Sequence, residues 1–340
     1  MSGQVSLKGT LLKAVIPAVI GIAVVAWLFI DDFNPQAWAM LRLDARTVTA
    51  LVLAILFVAG RDFGLTWRFR TITDGALSWR RALRVDIMCA FTSAITPSAV
   101  GGSALAIFYL NREGIDVGRA TTLTLTTLLL DEMFFVVFCP VLVALIPADS
   151  LFGSGHDILL HSVRLIFWLV YAGIVIYSAI LFMGIIARPD WLGKAIGRIF
   201  SLSWLARWRK SALGMAADMK ATSAWVRTRS ASWWLRVFGA TTLSWFSRYF
   251  VVNALFWGIV PAASGLVVFG RQFVVWVVLM ISPTPGGSGV SEWLFTNYYG
   301  DLIGGASLAL VVATVWRLLS YYVYLFAGVC LAPSYFRKKK

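Results

Sequence analysis

The chain has 340 residues, of which 59% are hydrophobic and 14% are charged, and its formal net charge is +14. A mean hydropathy of +0.80 excludes a soluble enzyme, because most of the chain would present large apolar patches to water. The basic residues cluster in a few loops between apolar segments, which is typical of cytoplasmic membrane loops and argues against nucleic-acid binding. We therefore expect a single membrane domain over residues 1–340.

The cysteines and histidines give no sign of a metal centre or a disulfide framework. Cys89, Cys139 and Cys330 all lie in apolar stretches without CxxC spacing. His156 and His161 form an isolated pair in a polar connection. We expect neither a metal nor a cofactor.

Six apolar segments approach the length of ~20 residues that crosses a bilayer. The first has a lysine flank like that of a signal peptide, but no small-residue cleavage pattern follows it, so we expect it to be a span. The six predicted full spans are 14–30, 47–67, 120–146, 162–187, 233–260 and 304–331.

Two further apolar segments are interrupted by proline and paired glycines. Residues 85–110 are broken at 96–102 (TPSAVGG), and residues 273–299 are broken at 282–287 (SPTPGG). Such a break ends a helix, and an arm of about 12 residues reaches only ~18 Å into a hydrocarbon core of ~30 Å. Each segment therefore predicts a re-entrant helical hairpin. The alternative is that the glycines merely allow close packing of helices.

The charge pattern predicts how the chain is oriented. Lysine and arginine are enriched after the second span and in residues 188–232, which places both loops in the cytoplasm. The connections that hold Asp31 and Asp149 are poor in basic residues and are expected outside. The C-terminal run from Arg337 is basic, so both termini are expected in the cytoplasm. Every loop agrees if each broken segment returns to the side from which it entered.

An internal repeat follows from this orientation. Ile95-Thr96-Pro97 is echoed by Ile281-Ser282-Pro283, and each precedes a glycine pair and a serine. Residues 14–147 and 160–332 then form two repeats of opposite orientation. The predicted fold is an all-α polytopic membrane protein with six full spans and two oppositely oriented re-entrant hairpins. In transporters, such inverted repeats place broken helices at the bilayer midplane and exchange access between the two sides.

Several charged residues fall within the predicted spans, where each costs at least ~2.5–3.5 kcal/mol on insertion scales. Glu132 and Arg317 stand at equivalent distances after the two glycine pairs, so we expect these opposite charges to meet near the axis that relates the repeats. We expect a second set to line a polar path through the membrane. The alternative is that these residues form structural ion pairs that fix the bundle. The second set comprises Arg61, Asp62, Asp86, Arg248 and Glu292.

The glycine pairs also suggest an anion site. Half-helices that begin at Gly102 and Gly287 would direct free N–H groups and partial positive charge into the midplane, which suits a phosphate group. Arg248, Arg317 and Arg112 are candidates to complete it, although Arg112 fits equally well as an interfacial residue. The basic, tryptophan-rich loop 188–232 is expected to lie on the anionic inner leaflet as an amphipathic helix.

Two motifs resemble those of a known family. The first runs from Thr96 through Asn111-Arg112-Glu113-Gly114 to Asp131-Glu132, and the second joins Pro283-Thr284-Pro285-Gly286-Gly287-Ser288-Gly289-Val290-Ser291-Glu292 to Trp316-Arg317 and Tyr321. They are similar to the signatures of the lysylphosphatidylglycerol synthase transmembrane, flippase-like family, which includes the membrane half of the multiple peptide resistance factor. The similarity covers most of the chain from about residue 47 onward.

The resemblance implies a flippase for an aminoacylated or anionic phospholipid or for a polyprenyl lipid, in a bacterial or archaeal cytoplasmic membrane. The chain stops at Lys340, so we expect no aminoacyl-transferase domain, no lysyl-lipid synthesis and no enzyme activity. Membrane lipids are the expected partners, and a homo-oligomer is left open. The candidate substrate-binding residues are Pro97, Gly101, Gly102, Arg112, Asp131, Glu132, Arg248, Pro283, Pro285, Gly286, Gly287, Glu292, Arg317 and Tyr321.

Three other functions remain open at this stage. A lipid-modifying enzyme, such as a polyprenyl-phosphate sugar transferase, needs carboxylates at an aqueous face, and Asp31 and Asp32 offer these without partners. A small-solute transporter needs an enclosed site in place of one that opens laterally to lipid. A structural partner of another membrane complex predicts that neutralising Glu292 or Arg317 leaves activity intact.

Overall fold

The computed structural model describes residues 44–96, 100–153, 158–188 and 209–336, together with residues 190, 191, 194, 198 and 201. All regular secondary structure in these residues is helical. The predicted span 14–30, Pro97 and the basic C-terminal run 337–340 lie outside the described residues.

Twelve α-helices and two π-helical turns make up the described part of the chain. One π-helical turn, Met183–Ala187, extends the sixth helix, and the other, Leu318–Tyr322, joins the last two helices. The helices are α1 Ala45–Ile72, α2 Trp79–Ile95, α3 Val100–Arg112, α4 Val117–Leu145, α5 Ala148–Phe152, α6 Ile158–Phe182, α7 Arg209–Arg227, α8 Ala231–Ile259, α9 Gly265–Leu279, α10 Val290–Ile303, α11 Ala306–Arg317 and α12 Val323–Phe336.

Four helical segments are long and apolar enough to cross a membrane: Ala45–Ile72, Val117–Leu145, Leu160–Ala187 and Ser307–Ala332. They coincide with four of the six predicted spans. The predicted span 233–260 forms α8, which has the required length at 29 residues but is not among the four. Its serine, threonine, tryptophan and arginine side chains lower its mean hydropathy.

Side-chain caps set where several helices begin. The Asp44 carboxylate accepts a hydrogen bond of 2.8 Å from the Thr47 N–H at the start of α1, and the Ser230 hydroxyl accepts from Trp233 at the start of α8. After α1, the chain reverses through Asp74 and Gly75, whose φ angles of +52° and +75° end the helix. These caps fix where α1 and α8 begin, and both helices carry residues of the buried charged groups described below.

Both broken segments are pairs of helices with the break where the sequence predicts it. α2 ends at Ile95 and α3 begins at Val100, while α9 ends at Leu279 and α10 begins at Val290. The predicted starting points at Gly102 and Gly287 were wrong. Gly101 and Gly102 lie within the first turn of α3, whereas Gly286, Gly287 and Gly289 adopt φ angles of +57°, +71° and +84°, which delay the start of α10.

Glycines allow α1 and α8 to pack closely. A Cβ atom added to Gly64 would lie 2.8 Å from the Ala240 carbonyl oxygen, and one added to Gly60 would lie 2.9 Å from the Ser247 hydroxyl oxygen. The contact at Gly64 is with backbone, so a larger residue does not fit there, as in other closely packed membrane helices. The close approach brings the arginines of α1 next to the polar side chains of α8.

Candidate functional site

Charged side chains gather in two places inside the helical bundle. We call residues 286–292 with Arg317 and Tyr321 the loop site. We call the second group the helix cluster, and it comprises Arg61, Asp62, Arg68, Asp86, Asp131 and Arg248. Both lie among helices that are long and apolar enough to span a membrane or that pack against such helices.

The loop site is built around a buried ion pair. Arg317 Nε donates to Glu292 Oε1 at 2.9 Å, and the side chains are 7% and 0% exposed. The second carboxylate oxygen of Glu292 accepts from the Gly289 N–H at 2.8 Å and from the Ser291 hydroxyl at 2.7 Å. A carboxylate this deep is tolerated only when paired and hydrogen-bonded, and both oxygens of Glu292 are.

Arg317 makes further contacts within the loop site. Its Nη2 atom donates to the Gly286 carbonyl at 3.2 Å and to the Ser288 hydroxyl at 3.4 Å, and its guanidinium carbon lies 3.9 Å from the ring centre of Tyr321. Arg317 therefore pairs with Glu292. Its place in the repeat had led us to expect Glu132 as its partner, and that expectation was wrong. In this conformation the Nε and Nη2 atoms of Arg317 already have hydrogen-bond partners and are not available to bind a phosphate.

At the start of α10, a side chain of the helix itself accepts a hydrogen bond from the backbone. Glu292 is the third residue of this helix, and its carboxylate accepts from the Gly289 N–H that precedes the helix. The Gly287 N–H, which we expected to attract a phosphate, donates to the Thr284 carbonyl at 3.0 Å, so the N–H groups of Gly287 and Gly289 both have partners within the chain. This arrangement differs from the anion site that the sequence suggested.

The loop site also joins the two broken segments. The Gly286 N–H donates to the Thr96 carbonyl at 3.3 Å, and the Tyr321 hydroxyl donates to the Ala94 carbonyl at 3.1 Å. The Ser288 hydroxyl donates to the Tyr321 oxygen at 2.9 Å. Pro283 is exposed and Pro285 is partly buried in the same segment. The end of α2 and the segment before α10 thus form one continuous hydrogen-bonded structure.

The helix cluster has two close ion pairs and a third, longer one. Arg61 pairs with Asp62 at 2.5 Å, and the Tyr324 hydroxyl donates to the same Asp62 oxygen at 2.6 Å. Arg68 pairs with Asp131 at 2.5 Å, and the Trp245 indole N–H donates to the same Asp131 oxygen at 2.9 Å. These contacts hold α1, α4, α8 and α12 together inside the bundle.

Asp86 links the two pairs. One of its oxygens lies 4.0 Å from Arg61 Nη2, and the other, Oδ2, has no hydrogen-bond partner among the described residues. Asp86 also interacts electrostatically with Arg68 and Arg248. The side chain is only 2% exposed, so this carboxyl group belongs to the buried cluster.

Three further charged residues of the predicted site, Arg248, Glu132 and Arg112, each have different neighbours. Arg248 lies over the rings of Trp245 and Trp276. Glu132 interacts with Tyr177 of α6, and its Oε2 atom has no hydrogen-bond partner in the described part of the chain. Arg112 donates to the Tyr335 carbonyl and so holds the end of α3 against α12. Glu132 and Arg112 are not brought into either site.

The basic segment packs partly on the protein. α7 contacts α4, and its residues Thr222, Ser223 and Val226 are buried. On its exposed side, Lys220 donates to Asp190 at 2.6 Å, and this hydrogen bond lowers the pKa of the Asp190 carboxyl. The described part of segment 188–232 thus has one face against the bundle and one face available to its surroundings.

Sequence reasoning missed several residues of the two sites or in contact with them, namely Arg68, Ser288 and Ser291 and the hydrogen-bond partners Trp245 and Tyr324. Arg68 had a usable signal, because it follows Arg61 by two helical turns and so lies on the same face of α1. No group of three or more His, Cys, Asp or Glu residues that could hold a metal occurs within the described residues.

The fold and sites define a polytopic helical membrane protein with buried ion pairs among its helices. Residues 14–328 match the family described as the lysylphosphatidylglycerol synthase TM region, and the chain belongs to this family. It is also similar to a UPF0104 membrane protein of Archaeoglobus fulgidus, with 23% identity over 321 residues that cover 91% of this chain and 93% of the relative. No solved structure matches the chain.

Proposed function

We propose that this protein is a lipid flippase that moves the headgroup of an anionic or aminoacylated phospholipid, or of a polyprenyl lipid, across a bacterial or archaeal cytoplasmic membrane. It catalyses no covalent reaction. The observation that carries the proposal is the loop site, where irregular backbone and a fully compensated ion pair are buried at the junction of two broken helix pairs. Irregular backbone at membrane depth is tolerated where protein buries it or where it lines a cavity, and transporters use it to bind and release polar cargo.

We also propose how the helices are arranged in the membrane. The pairs α2–α3 and α9–α10 are two re-entrant hairpins of opposite orientation, within two repeats at 14–147 and 160–332. Six full spans complete the fold, with both termini in the cytoplasm. α8 serves as a span despite its polar residues because Arg248, the charged residue in its interior, belongs to the helix cluster.

Movement of a headgroup requires the loop site to have a second arrangement. The contacts Gly286–Thr96 and Tyr321–Ala94 are the bonds that separate when the two repeats move apart. Release of Arg317 then leaves Glu292 free to bind the ammonium group of an aminoacylated headgroup or a coupling proton. The acyl chains remain in the lipid throughout.

Headgroup translocation in proteoliposomes tests this proposal. The panel contains fluorescent phospholipids, aminoacyl-phosphatidylglycerol and polyprenyl phosphates, and it compares wild type with Glu292→Gln and Arg317→Gln. We expect headgroup-selective movement in wild type and its loss in both variants. Movement of soluble solutes in place of lipids would indicate a small-solute transporter and would overturn the proposal.

Arg271→Gln is the matched control. Arg271 is 1% exposed and is bound by Asp301 and by the carbonyl oxygens of Ser150 and Tyr298, away from the loop site. Its replacement disturbs an arginine of similar burial, so a general loss of stability would affect all three variants alike. Transport retained in Arg271→Gln and lost in Arg317→Gln supports the proposal. Equal background movement in wild type and every variant, with folding verified, would refute it.

A further inference from the structure

Arg248 differs from the other arginines buried among the helices. Arg61, Arg68, Arg271 and Arg317 each form an ion pair with a carboxylate. Arg248 lies in the interior of α8, and no carboxylate of the described residues comes within ion-pair distance of it. A cation at membrane depth needs a counter-charge or a polar cavity, so Arg248 lacks a partner that its position requires.

Aromatic rings hold the Arg248 side chain in place. Its guanidinium carbon lies 4.7 Å from the ring centre of Trp245 and 4.4 Å from that of Trp276. The two indole rings contact each other at 71° with their centres 5.2 Å apart. Cation–π contacts of this kind fix an arginine and leave its N–H groups free to donate.

Two buried donors at this place have no acceptor. Arg248 Nε and Trp276 Nε1 are both buried and lack a hydrogen-bond partner in the described part of the chain. Guanidinium and indole nitrogens donate hydrogen bonds and do not accept them, so the missing partner is an acceptor. Buried polar groups are normally satisfied, and each exception calls for a ligand, a water or an ion.

The charged neighbours of Arg248 do not supply that acceptor. Asp131 attracts it electrostatically, but the Asp131 oxygen Oδ1 already accepts from Arg68 and from the Trp245 indole. Arg61 repels it and adds positive potential, while Asp86 attracts it without reaching it. A fixed positive group with an adjacent N–H donor suits an oxyanion, whose several oxygens accept from a planar guanidinium fork.

We propose that Arg248 and Trp276 bind a phosphate-type oxyanion, which is either the phosphate of a lipid headgroup or free inorganic phosphate. Trp276 lies in the last turn of α9, directly before the segment that leads into the loop site, so the anion would sit beside the break. The inference rests on the proposed function where the phosphate belongs to a lipid. It assigns the phosphate to Arg248, because Glu292 and the loop already engage Arg317.

Calorimetric titration of the purified full chain in an uncharged maltoside detergent tests this site. The probes are inorganic phosphate, dihexanoyl phosphatidylglycerol and dihexanoylglycerol, which lacks the phosphate. We expect the wild type to bind at least one phosphate-bearing probe and not dihexanoylglycerol. Tighter binding of phosphatidylglycerol identifies the headgroup as the ligand, and binding of inorganic phosphate alone identifies the free anion.

Variants then locate the bound anion. Arg248→Gln should weaken binding about tenfold or more, because it removes a charged donor. Trp276→Phe keeps the aromatic ring but removes the N–H donor, and it should weaken binding several-fold. Arg46→Gln is the matched control, since Arg46 of α1 lies over the Trp257 ring of α8 but outside the helix cluster. It should bind as the wild type does.

The outcomes separate this inference from the proposed function. Equal affinity in wild type, Arg248→Gln and Trp276→Phe overturns the inference, as does the absence of phosphate-dependent binding in wild type. If Arg248→Gln loses binding while wild-type proteoliposomes move no lipid, the anion site stands and the flippase proposal fails. If lipid moves equally well in wild type and Arg248→Gln, with unchanged binding, the flippase proposal stands and the anion site fails.

Discussion

The backbone N–H of Gly286 donates a hydrogen bond to the carbonyl oxygen of Thr96, which joins two segments that lie far apart in the sequence. Each of these residues belongs to a break between two helices. The breaks therefore satisfy each other's backbone groups, which lipid cannot do. The contact also couples the two breaks, because neither can move away from the other without breaking this hydrogen bond.

Gly286→Ala is expected to disrupt this junction. The added Cβ would lie 2.2 Å from Tyr321 Cε2 and 3.0 Å from the Ala94 carbonyl oxygen, at a φ of +57°. Backbone strain of ~1–3 kcal/mol and overpacking of ~1–3 kcal/mol should both lower the free energy of unfolding. Denaturant titration in micelles measures the loss.

Gly287→Ala separates the two causes. Gly287 also has a positive φ, of +71°, but an added Cβ would meet nothing closer than Leu279 Cδ2 at 3.5 Å. Only the strain contribution should appear in this control. Equal losses in the two variants would contradict a close contact between the breaks.

The ion pair of the loop site should show strong coupling. Arg317→Met alone leaves the Glu292 carboxylate buried without its cation, which should cost about 3–5 kcal/mol. The double variant Glu292→Gln, Arg317→Met should lose less than the sum of the two single variants, with a coupling of about 1–3 kcal/mol. A double-mutant cycle on unfolding free energies measures it. Additive losses would mean that the two side chains do not interact.

The close approach of α1 and α8 predicts opposite effects at two glycines. Gly64→Ala places a Cβ 2.8 Å from the Ala240 carbonyl and should destabilise the protein by ~1–3 kcal/mol. Gly239→Ala on α8 meets nothing within 4 Å and should stabilise the helix by ~0.5–1 kcal/mol. Thermal unfolding of both variants in the same detergent compares them. Destabilisation of similar size at both positions would refute the packing explanation.

The pair of Asp190 and Lys220 predicts a pH dependence outside the membrane. The Lys220 ammonium donates to the Asp190 carboxylate and lowers its pKa. Because the pKa in the folded chain is lowered, the pair contributes fully above the ordinary pKa of a carboxyl group and is lost as the pH falls through the lowered value. Lys220→Gln should return the Asp190 pKa toward its ordinary value, as measured by NMR titration of the carboxyl carbon. Lys194→Gln, which removes a weaker electrostatic neighbour, should change it less.

The orientation is testable with single cysteines. Lys220→Cys and Asp149→Cys both replace exposed residues, and the charge pattern places them on opposite sides of the membrane. In a background with Cys330→Ser, a membrane-impermeant thiol reagent added outside intact cells should label the Asp149 variant and not the Lys220 variant. Labelling in the reverse order would invert the proposed topology.

The sequence predicted the helix breaks but not their detailed shape. Proline and paired glycines at 96–102 and 282–287 cannot continue a helix, so the break positions follow from local chemistry. The residues at which α3 and α10 begin do not follow from local chemistry, because Gly101 and Gly102 are helical while Gly286 and Gly287 have positive φ angles. Glycine permits both conformations, so the local sequence alone does not decide between them.

The sequence predicted which segments hold the charged residues better than it predicted which charged residues pair with each other. The sequence placed Glu132, Arg248, Glu292 and Arg317 inside helical segments, and the structure does so too. Equal spacing from the glycine pairs suggested that Glu132 and Arg317 meet, whereas Arg317 pairs with Glu292. Spacing along a chain gives the height of a residue in the membrane, but the partner depends on how helices cross and which faces meet.

The π-helical turn Leu318–Tyr322 makes the number of residues between α11 and α12 important for how α12 is oriented. A π-helical turn holds more residues than an α-helical turn, so α12 leaves it with a different rotational phase from a continuous α-helix. Deleting a single residue here would rotate everything beyond it by about 100°, which turns the Tyr324 hydroxyl away from Asp62. The number of residues in this turn thus works as a spacer, and insertions or deletions there should be more harmful than most substitutions.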